Sequence, residues 1–118
     1  MSTKVPEVLR ARGDFEVLQR DGRTRGHPLL SVRSVRNGRE GTRFGYSTAR
    51  RIGTAVVRNR TRRRLREIAR RLGPRLAPGW DVLVVARPAA TEASATELAE
   101  VLERLLRQSG ILLEKSDT

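Results

Sequence analysis

The chain lacks cysteine and has one histidine, His27. Without cysteine it can form neither disulfide bonds nor a cysteine-ligated zinc site, and a single histidine leaves little basis for a histidine metal site. Aromatic residues make up only 3% of the 118 residues, so the core must consist mainly of Leu, Val, Ile and Ala. No apolar run approaches the roughly 20 residues of a membrane span, and the start, MSTKVPEV, lacks the apolar stretch of a secretory signal. We therefore expect a cytoplasmic protein that has no membrane partner.

Acidic residues are also scarce, and the charge is unevenly distributed. Lys and Arg number 25 against 13 Asp and Glu, for a formal net charge of +12, and 23 of the 25 cationic residues are Arg. Residues 1–75 carry a net charge of +15, whereas residues 76–118 carry −3. A guanidinium binds phosphate through two hydrogen bonds and stacks on bases. This distribution therefore indicates a polyanionic partner.

The apolar pattern predicts one domain over residues 1–118, with its core at about 10–110 and short flexible termini. Amphipathic periodicity and end signals predict three helices, over residues 12–20, from the N-cap Thr54 to about 72, and from the capping box Ser94–Glu97 to a stop at Gly110. Strands are predicted over 26–35, 43–48 and 80–86, with an extra short strand before Pro28. The resulting fold class is α+β, a single sandwich of a mostly antiparallel four-stranded sheet with packed helices in the order αβββαβα.

Two of the predicted strands flank a turn signal, Asn37-Gly38. We expect residues 26–35 and 43–48 to pair as a hairpin with a loop of several residues. The continuous apolar run at 80–86 predicts a strand that is buried on both faces.

The most informative segment is residues 50–67, RRIGTAVVRNRTRRRLRE. On a helix, Arg58, Arg62 and Arg66 follow one flank at i, i+4 and i+8. The other basic residues extend the charge around the helix: Arg63 and Arg70 lie near the same flank, and Arg60, Arg64 and Arg71 lie on the opposite one. Like charges at this spacing destabilise an isolated helix by a few tenths of a kcal/mol per pair. With Glu67 as the only acid nearby, a bound nucleic acid is the expected compensation.

The same segment resembles the signature of the bacterial ribonuclease P protein subunit. The elements that carry the resemblance are Arg50-Arg51-Ile52-Gly53, Ala55-Val56, Arg58-Asn59-Arg60, Arg62-Arg63 and Arg66-Glu67. Asp14-Phe15 and residues 81–88, DVLVVARP, resemble the family's first helix and last strand, and the likeness covers roughly residues 10–110.

That resemblance implies a protein that binds a catalytic RNA, which removes the 5′ leader of precursor tRNA using magnesium held mainly by the RNA. It implies no catalytic residue and no small-molecule cofactor, and no metal-ligating residue is assigned. It also implies RNA-binding residues, which are Arg50, Arg51, Arg58, Asn59, Arg60, Arg62, Arg63 and Arg66. The family fold implies a left-handed βαβ crossover, against the usual rule.

For the single-stranded leader, the resemblance implies a cleft with Phe15 as a stacking residue, since aromatic rings stack on bases without sequence preference. Tyr46 and Phe44 alternate on one side of their strand and either line this cleft or fill the core; Phe15 is itself open to a core role. The sequence departs from the family pattern at Ala49, where Ser is usual, and at Gln19, where a second aromatic is frequent. The first strand offers only residues 28–30, PLL, where the family is often aromatic.

Three other readings are open. A self-sufficient nuclease would need clustered carboxylates for metal ions or a catalytic His27, but the acids show no paired spacing. A ribosomal protein or DNA-binding regulator would have the same composition, although the basic helix follows a strand instead of a helix-turn-helix partner. A membrane-surface helix would carry bulky aromatics, which this helix lacks.

Overall fold

The computed structural model describes residues 7–49 and 52–113. Within these ranges the chain forms five strands: β1 (Glu7–Val8), β2 (Arg23–Gly26), β3 (Leu30–Arg36), β4 (Arg43–Thr48) and β5 (Trp80–Ala86). It also forms three α-helices: α1 (Arg12–Asp21), α2 (Ala55–Leu72) and α3 (Ala95–Gln108). Short 3-10 helices follow α2 and β5, at Gly73–Arg75 and Pro88–Glu92. The α+β class is confirmed, with β1 added before the first helix.

The strands form one mixed sheet in the order β1-β4-β5-β3-β2. β5 runs parallel to β4 and antiparallel to β3, while β1 is parallel to β4 and β2 antiparallel to β3. The expectation of a mostly antiparallel four-stranded sheet is therefore wrong, because two of the four pairings are parallel. β4 connects to its parallel neighbour β5 through α2, and the left-handed sense of that crossover stays a prediction.

The predicted hairpin between β3 and β4 is also wrong, because β5 lies between them. β5 carries apolar residues on both faces, which favours the centre of a sheet. The turn at Asn37 is bound to β5: its side-chain amide donates to Asp81 Oδ1 at 2.8 Å, and its backbone N–H donates to the Gly79 carbonyl. The chain between β3 and β4 is therefore held against the start of β5.

The helices lie on opposite faces of the sheet. Alternate residues of β3, β4 and β5, including Val32, Phe44 and Val84, join the main core with α2 and α3. The other face carries α1, where a Cβ on Gly45 of β4 would lie 3.0 Å from Phe15. Arg33 of β3 fixes the end of α1 by donating to the carbonyl oxygens of Leu18 and Gln19. Such contacts satisfy carbonyl groups that have no partner within the helix.

The helix ends agree with the sequence signals. Thr54 caps α2 by accepting from the Val57 N–H at 3.3 Å, and Ser94 and Glu97 form the expected reciprocal capping box of α3. The buried set extends slightly beyond the predicted core, from Leu9 to Leu112; the outermost residues of the predicted flexible termini lie outside the described ranges. No helix in the described part of the chain is long and apolar enough to cross a membrane.

Candidate nucleic-acid interface

The apolar stripe of α2 determines which of its residues are available to a partner. Thr61, Leu65, Ile68, Ala69 and Leu72 are buried against the sheet and α3. Because these residues occupy one side of the helix, the arginines project from its two flanks and its outer surface. α2 thus serves as a structural helix and displays most of the chain's positive charge.

We call Arg58, Arg62 and Arg66 the inner flank, which faces β4. The Arg62 guanidinium donates 2.8 Å to Thr48 Oγ1 and also to the side-chain oxygen of Asn59. The Arg66 guanidinium carbon lies 6.0 Å from the centroid of the Tyr46 ring, a cation–π arrangement. Two of the three inner-flank arginines, Arg62 and Arg66, are therefore held by neutral groups.

The arginines between Arg58 and Arg66 have no carboxylate within 4.0 Å among the described residues. Arg60, Arg63 and Arg66 are exposed, as is Asn59, whereas Arg58 and Arg62 are half-buried. The structure thus brings six of the predicted RNA-binding residues together on one helix. The other two, Arg50 and Arg51, lie outside the described residues.

The last turns of α2 differ, because Glu67 binds two arginines there. Its carboxylate accepts from Arg70 and lies 3.8 Å from Arg71. The hydrogen bond from Arg70 lowers the pKa of Glu67, and the same contact raises the pKa of Arg70. On the outer flank, defined as Arg60, Arg64 and Arg71, the last two residues, together with Arg63, border a groove of about 560 Å³ whose α3 side carries Glu100 and Glu103. Uncompensated charge is thus concentrated in the first two-thirds of α2, up to Arg66.

The opposite face of the sheet carries, beside α1, the candidate surface for binding single-stranded nucleic acid. Phe15 is partly exposed and packs on Gly45 and near Leu83 of β5. A shallow, open groove of about 500 Å³ lies beside its ring on the surface of α1, and its other lining residues, Arg12, Glu16, Gln19 and Arg20, all belong to that helix. The absence of a side chain at Gly45 is what lets the Phe15 ring approach β4 so closely.

A buried ion network fixes α1 to the sheet at this surface. Arg43 donates to both carboxylate oxygens of Asp81, at 2.8 and 2.6 Å, and lies 3.1 Å from Asp14 of α1. The Arg43 and Asp81 side chains are 11% and 5% exposed. The hydrogen bond to Asp81, followed by that to Asp14, raises the pKa of Arg43 against the opposing effect of burial.

The three aromatic residues assigned to one leader cleft do not lie together. Phe44 is fully buried in the core between the sheet and α2, so its assignment to an open cleft is wrong. Tyr46 shares that face, with its ring centroid 6.1 Å from that of Phe44. Side chains alternate along a strand, so the residue between them, Gly45, faces Phe15 instead.

Sequence reasoning missed Thr48, Arg43, Asp14 and Asp81 as residues that organise these surfaces. The signal for Arg43 was its position two residues before Gly45, which places both on the α1 face of β4. No local signal pointed to Thr48, because its contact with Arg62 joins a strand to a helix 14 residues later.

Fold and surfaces together define a class: an α+β protein in which a mixed sheet separates an arginine-rich helix from an aromatic-bearing groove. A family model described as "Ribonuclease P" matches residues 4–110. The ribonuclease P protein component of Roseiflexus castenholzii is 42% identical over 105 residues, covering 88% of this chain and 86% of that protein. The chain belongs to the bacterial ribonuclease P protein family.

Solved structures agree with this assignment. The ribonuclease P protein from Thermotoga maritima is 30% identical and superposes with a TM-score of 0.79, covering 86% of this chain and 96% of that one. The Staphylococcus aureus ribonuclease P protein, at 23% identity, has a TM-score of 0.81 and covers 88% of this chain and 95% of that one. At 23% identity, the similarity to the S. aureus protein supports the fold alone.

Proposed function

We propose that this protein is the protein subunit of ribonuclease P, which binds the catalytic RNA and the 5′ leader of precursor tRNA in the cytoplasm. The observation that carries the proposal is the first two-thirds of α2, residues 55–66, where six arginines lie without a carboxylate partner in the described part of the chain. Phosphates are the natural counter-charges for such a surface, because guanidinium groups bind them through paired hydrogen bonds.

The arginines of α2 contribute unequally to RNA binding in this proposal. Those from Arg58 to Arg66 contact the RNA subunit, together with Asn59 and the preceding pair Arg50 and Arg51. Arg70 and Arg71 share Glu67 and contribute less, since their charge is already partly balanced. The proposed RNA contact is therefore concentrated near the start of α2.

The leader crosses the α1 face of the sheet. Phe15 is the one aromatic side chain on that face that is partly exposed beside an open groove in the described structure. A base stacked on its ring would be bound without sequence preference, as a subunit that accepts many precursor leaders requires. Arg12 and Arg20 border the same groove, but each forms an exposed ion pair, with Glu16 and Asp21, that a leader phosphate would have to displace.

The chemistry in this proposal belongs to the RNA subunit, with magnesium bound mainly by that RNA. Among residues 7–49 and 52–113, no three His, Asp or Glu side chains lie together as a metal site. The protein's part is to hold the two RNA molecules: its charge reduces repulsion between their phosphates, and its groove fixes the leader. It acts as an accessory subunit of an endoribonuclease, without a small-molecule cofactor.

Reconstitution tests the proposal. Cleavage of a precursor tRNA by bacterial ribonuclease P RNA is timed at low millimolar magnesium, with and without the protein. We expect RNA alone to be nearly inactive and the protein to restore cleavage at the mature 5′ end. RNA binding without restored cleavage would overturn the proposal in favour of a general RNA-binding role. Cleavage by the protein without the RNA subunit would make it a nuclease.

A matched pair of variants links the result to α2. Arg58→Ala with Arg60→Ala removes two charges from the uncompensated stretch that ends at Arg66, and Arg70→Ala with Arg71→Ala removes two from the last turns, where Glu67 pairs with both. We expect the Arg58/Arg60 variant to reach half-maximal cleavage only at a much higher protein concentration than wild type. The Arg70/Arg71 variant should reach it at about the wild-type concentration. Equal effects from both pairs would show that total charge alone matters.

A further inference from the structure

Two inner-flank arginines are held by side chains that carry no charge. Thr48 accepts from one Nη of Arg62 at 2.8 Å, and Asn59 accepts from the other. The ring of Tyr46 lies beneath the guanidinium of Arg66, 6.0 Å from its central carbon. Thr48 and Tyr46 belong to β4, so the strand holds the helix's arginines from the side.

Uncharged partners orient an arginine without neutralising it, which a carboxylate partner would do. A carboxylate orients a guanidinium but also neutralises it and competes directly with phosphate, as Glu67 does for Arg70 and Arg71. A hydroxyl, an amide oxygen or a ring face orients the group and leaves its full charge. Arginine has five N–H donors, so Arg62 retains N–H groups for a phosphate after bonding Thr48 and Asn59.

Fixing the guanidinium before phosphate binds is important for the affinity of an arginine in particular. Its long side chain samples many rotamers in solution, and this freedom is lost when a phosphate is bound. A guanidinium already fixed by β4 loses less on binding, which increases affinity without adding a contact.

The Tyr46 ring is well placed to act as a rigid support. It is half-buried and stacks near Phe44, with interplanar angle 22°. Tyrosine is neutral in the physiological range at its ordinary pKa of about 10, and burial raises the pKa of this hydroxyl further. Its hydroxyl has no hydrogen-bond partner in the described structure, and its contact with Arg66 is through the ring.

We propose that Tyr46 and Thr48 are positioning residues for RNA recognition, which fix Arg66 and Arg62 in phosphate-binding orientations. This inference rests on the proposed function and assigns Tyr46 to recognition of the RNA subunit instead of the leader. Neither residue needs to touch the RNA, because each acts through the arginine that it holds.

The test measures affinity for ribonuclease P RNA by filter binding at several salt concentrations. Tyr46→Leu removes the ring and keeps an apolar side chain, whereas Tyr46→Phe keeps the ring and removes only the hydroxyl. We expect Tyr46→Leu to bind about two- to five-fold more weakly, as a cation–π contact of this kind implies, and Tyr46→Phe to bind like wild type. Thr48→Val and Thr48→Ser form the matching pair for Arg62.

Double-mutant cycles separate positioning from folding. Tyr46→Leu is combined with Arg66→Ala, and Thr48→Val with Arg62→Ala, with thermal unfolding recorded for every variant. We expect each β4 substitution to weaken binding of ribonuclease P RNA when its arginine is present and to have no effect on that affinity once the arginine is absent. Equal binding by Tyr46→Leu and Tyr46→Phe, or additive effects in both cycles, would overturn the inference.

The wild-type protein provides the check on the underlying proposal. If it binds ribonuclease P RNA no more tightly than an unrelated structured RNA of equal length, the proposed function fails. If that preference holds and the cycles are additive, only the positioning role fails. Should Tyr46→Leu not fold, the Thr48 cycle decides the inference alone.

Discussion

The Phe15 ring lies against Gly45, where a Cβ atom would be 3.0 Å from Cε1 and 3.2 Å from Cζ of Phe15. The two residues come from α1 and β4, and their contact sets how closely the helix approaches the sheet. Any side chain at position 45 must displace the ring that we assign to the leader. This single contact therefore links the packing of the α1 face to the proposed binding groove.

Substitutions at Gly45 test that relationship. Gly45→Val places a branched side chain against Phe15 and Leu83, and we expect overpacking to lower the free energy of unfolding by about 1–3 kcal/mol. Gly45→Ala gains about 0.5–1 kcal/mol from replacing glycine in a strand, which offsets part of its smaller clash. Urea unfolding of both variants checks the ranking. A Gly45→Val protein as stable as wild type would show that α1 adjusts freely on the sheet.

Phe15→Ala tests the leader groove. We expect the variant to lose roughly 1–3 kcal/mol of affinity for a precursor tRNA with a long leader, the value of one base stacked on an aromatic ring. Its affinity for a precursor with a very short leader should match that of wild type. Phe44→Leu is the control, because it removes a ring from the opposite face and should leave leader dependence unchanged. Equal loss for both leader lengths would place Phe15 outside the leader site.

The salt dependence of RNA binding tests how many arginines of α2 contact phosphate. If five to eight of them do so, log affinity should fall with log salt at a slope on the order of −4 to −7. Arg58→Ala with Arg60→Ala should reduce the slope by about 1.5–2 and leave thermal unfolding cooperative. A wild-type slope near −1 would contradict the basic-helix proposal, and loss of cooperative unfolding would show that these arginines serve the core.

Local signals in the sequence were sufficient for the helices and for β5. Thr54 and the Ser94–Glu97 pair mark helix starts through contacts within one turn, and the run at 80–86 is apolar on both faces. The partners of β3 and β4 depend on β5, which is 32 residues after β4 in the chain. The Asn37-Gly38 turn signal is local and therefore predicted a hairpin that the central position of β5 prevents.

The candidate site shows the same division between local and distant information. Helical spacing predicted that Arg58, Arg62 and Arg66 share a flank, and strand alternation predicted that Phe44 and Tyr46 share a face. Which helix covers that face is set by tertiary packing, and α2 covers it, with α1 on the other side. Alternation alone could not make this distinction, and the three aromatic residues assigned to one leader cleft therefore lie on two faces of the sheet.

The ion network beneath α1 should be a large contributor to stability. Asp81→Asn leaves Arg43 buried without its main counter-charge, and we expect a loss of about 3–5 kcal/mol in the free energy of unfolding. Asp21→Asn is the matched control, because it breaks an exposed pair with Arg20 that is worth about 1 kcal/mol or less. Urea unfolding at neutral pH measures both. Similar losses for the two variants would mean that burial adds nothing to the Arg43–Asp81 pair.

Alkaline pH should destabilise the protein through Tyr46, the chain's one tyrosine. Burial raises the pKa of its hydroxyl above the ordinary value of about 10, so the folded state favours the neutral form. The associated stability is fully present below pH 10 and is lost as pH rises towards the folded-state pKa, because the unfolded chain releases its proton first. Between pH 10 and 11 we expect wild type to lose up to about 1.4 kcal/mol more than Tyr46→Phe. Urea unfolding at both pH values measures this difference, and tyrosinate absorbance follows the ionisation directly. Parallel losses in the two proteins would show that the hydroxyl ionises as readily in the folded state as in the unfolded chain.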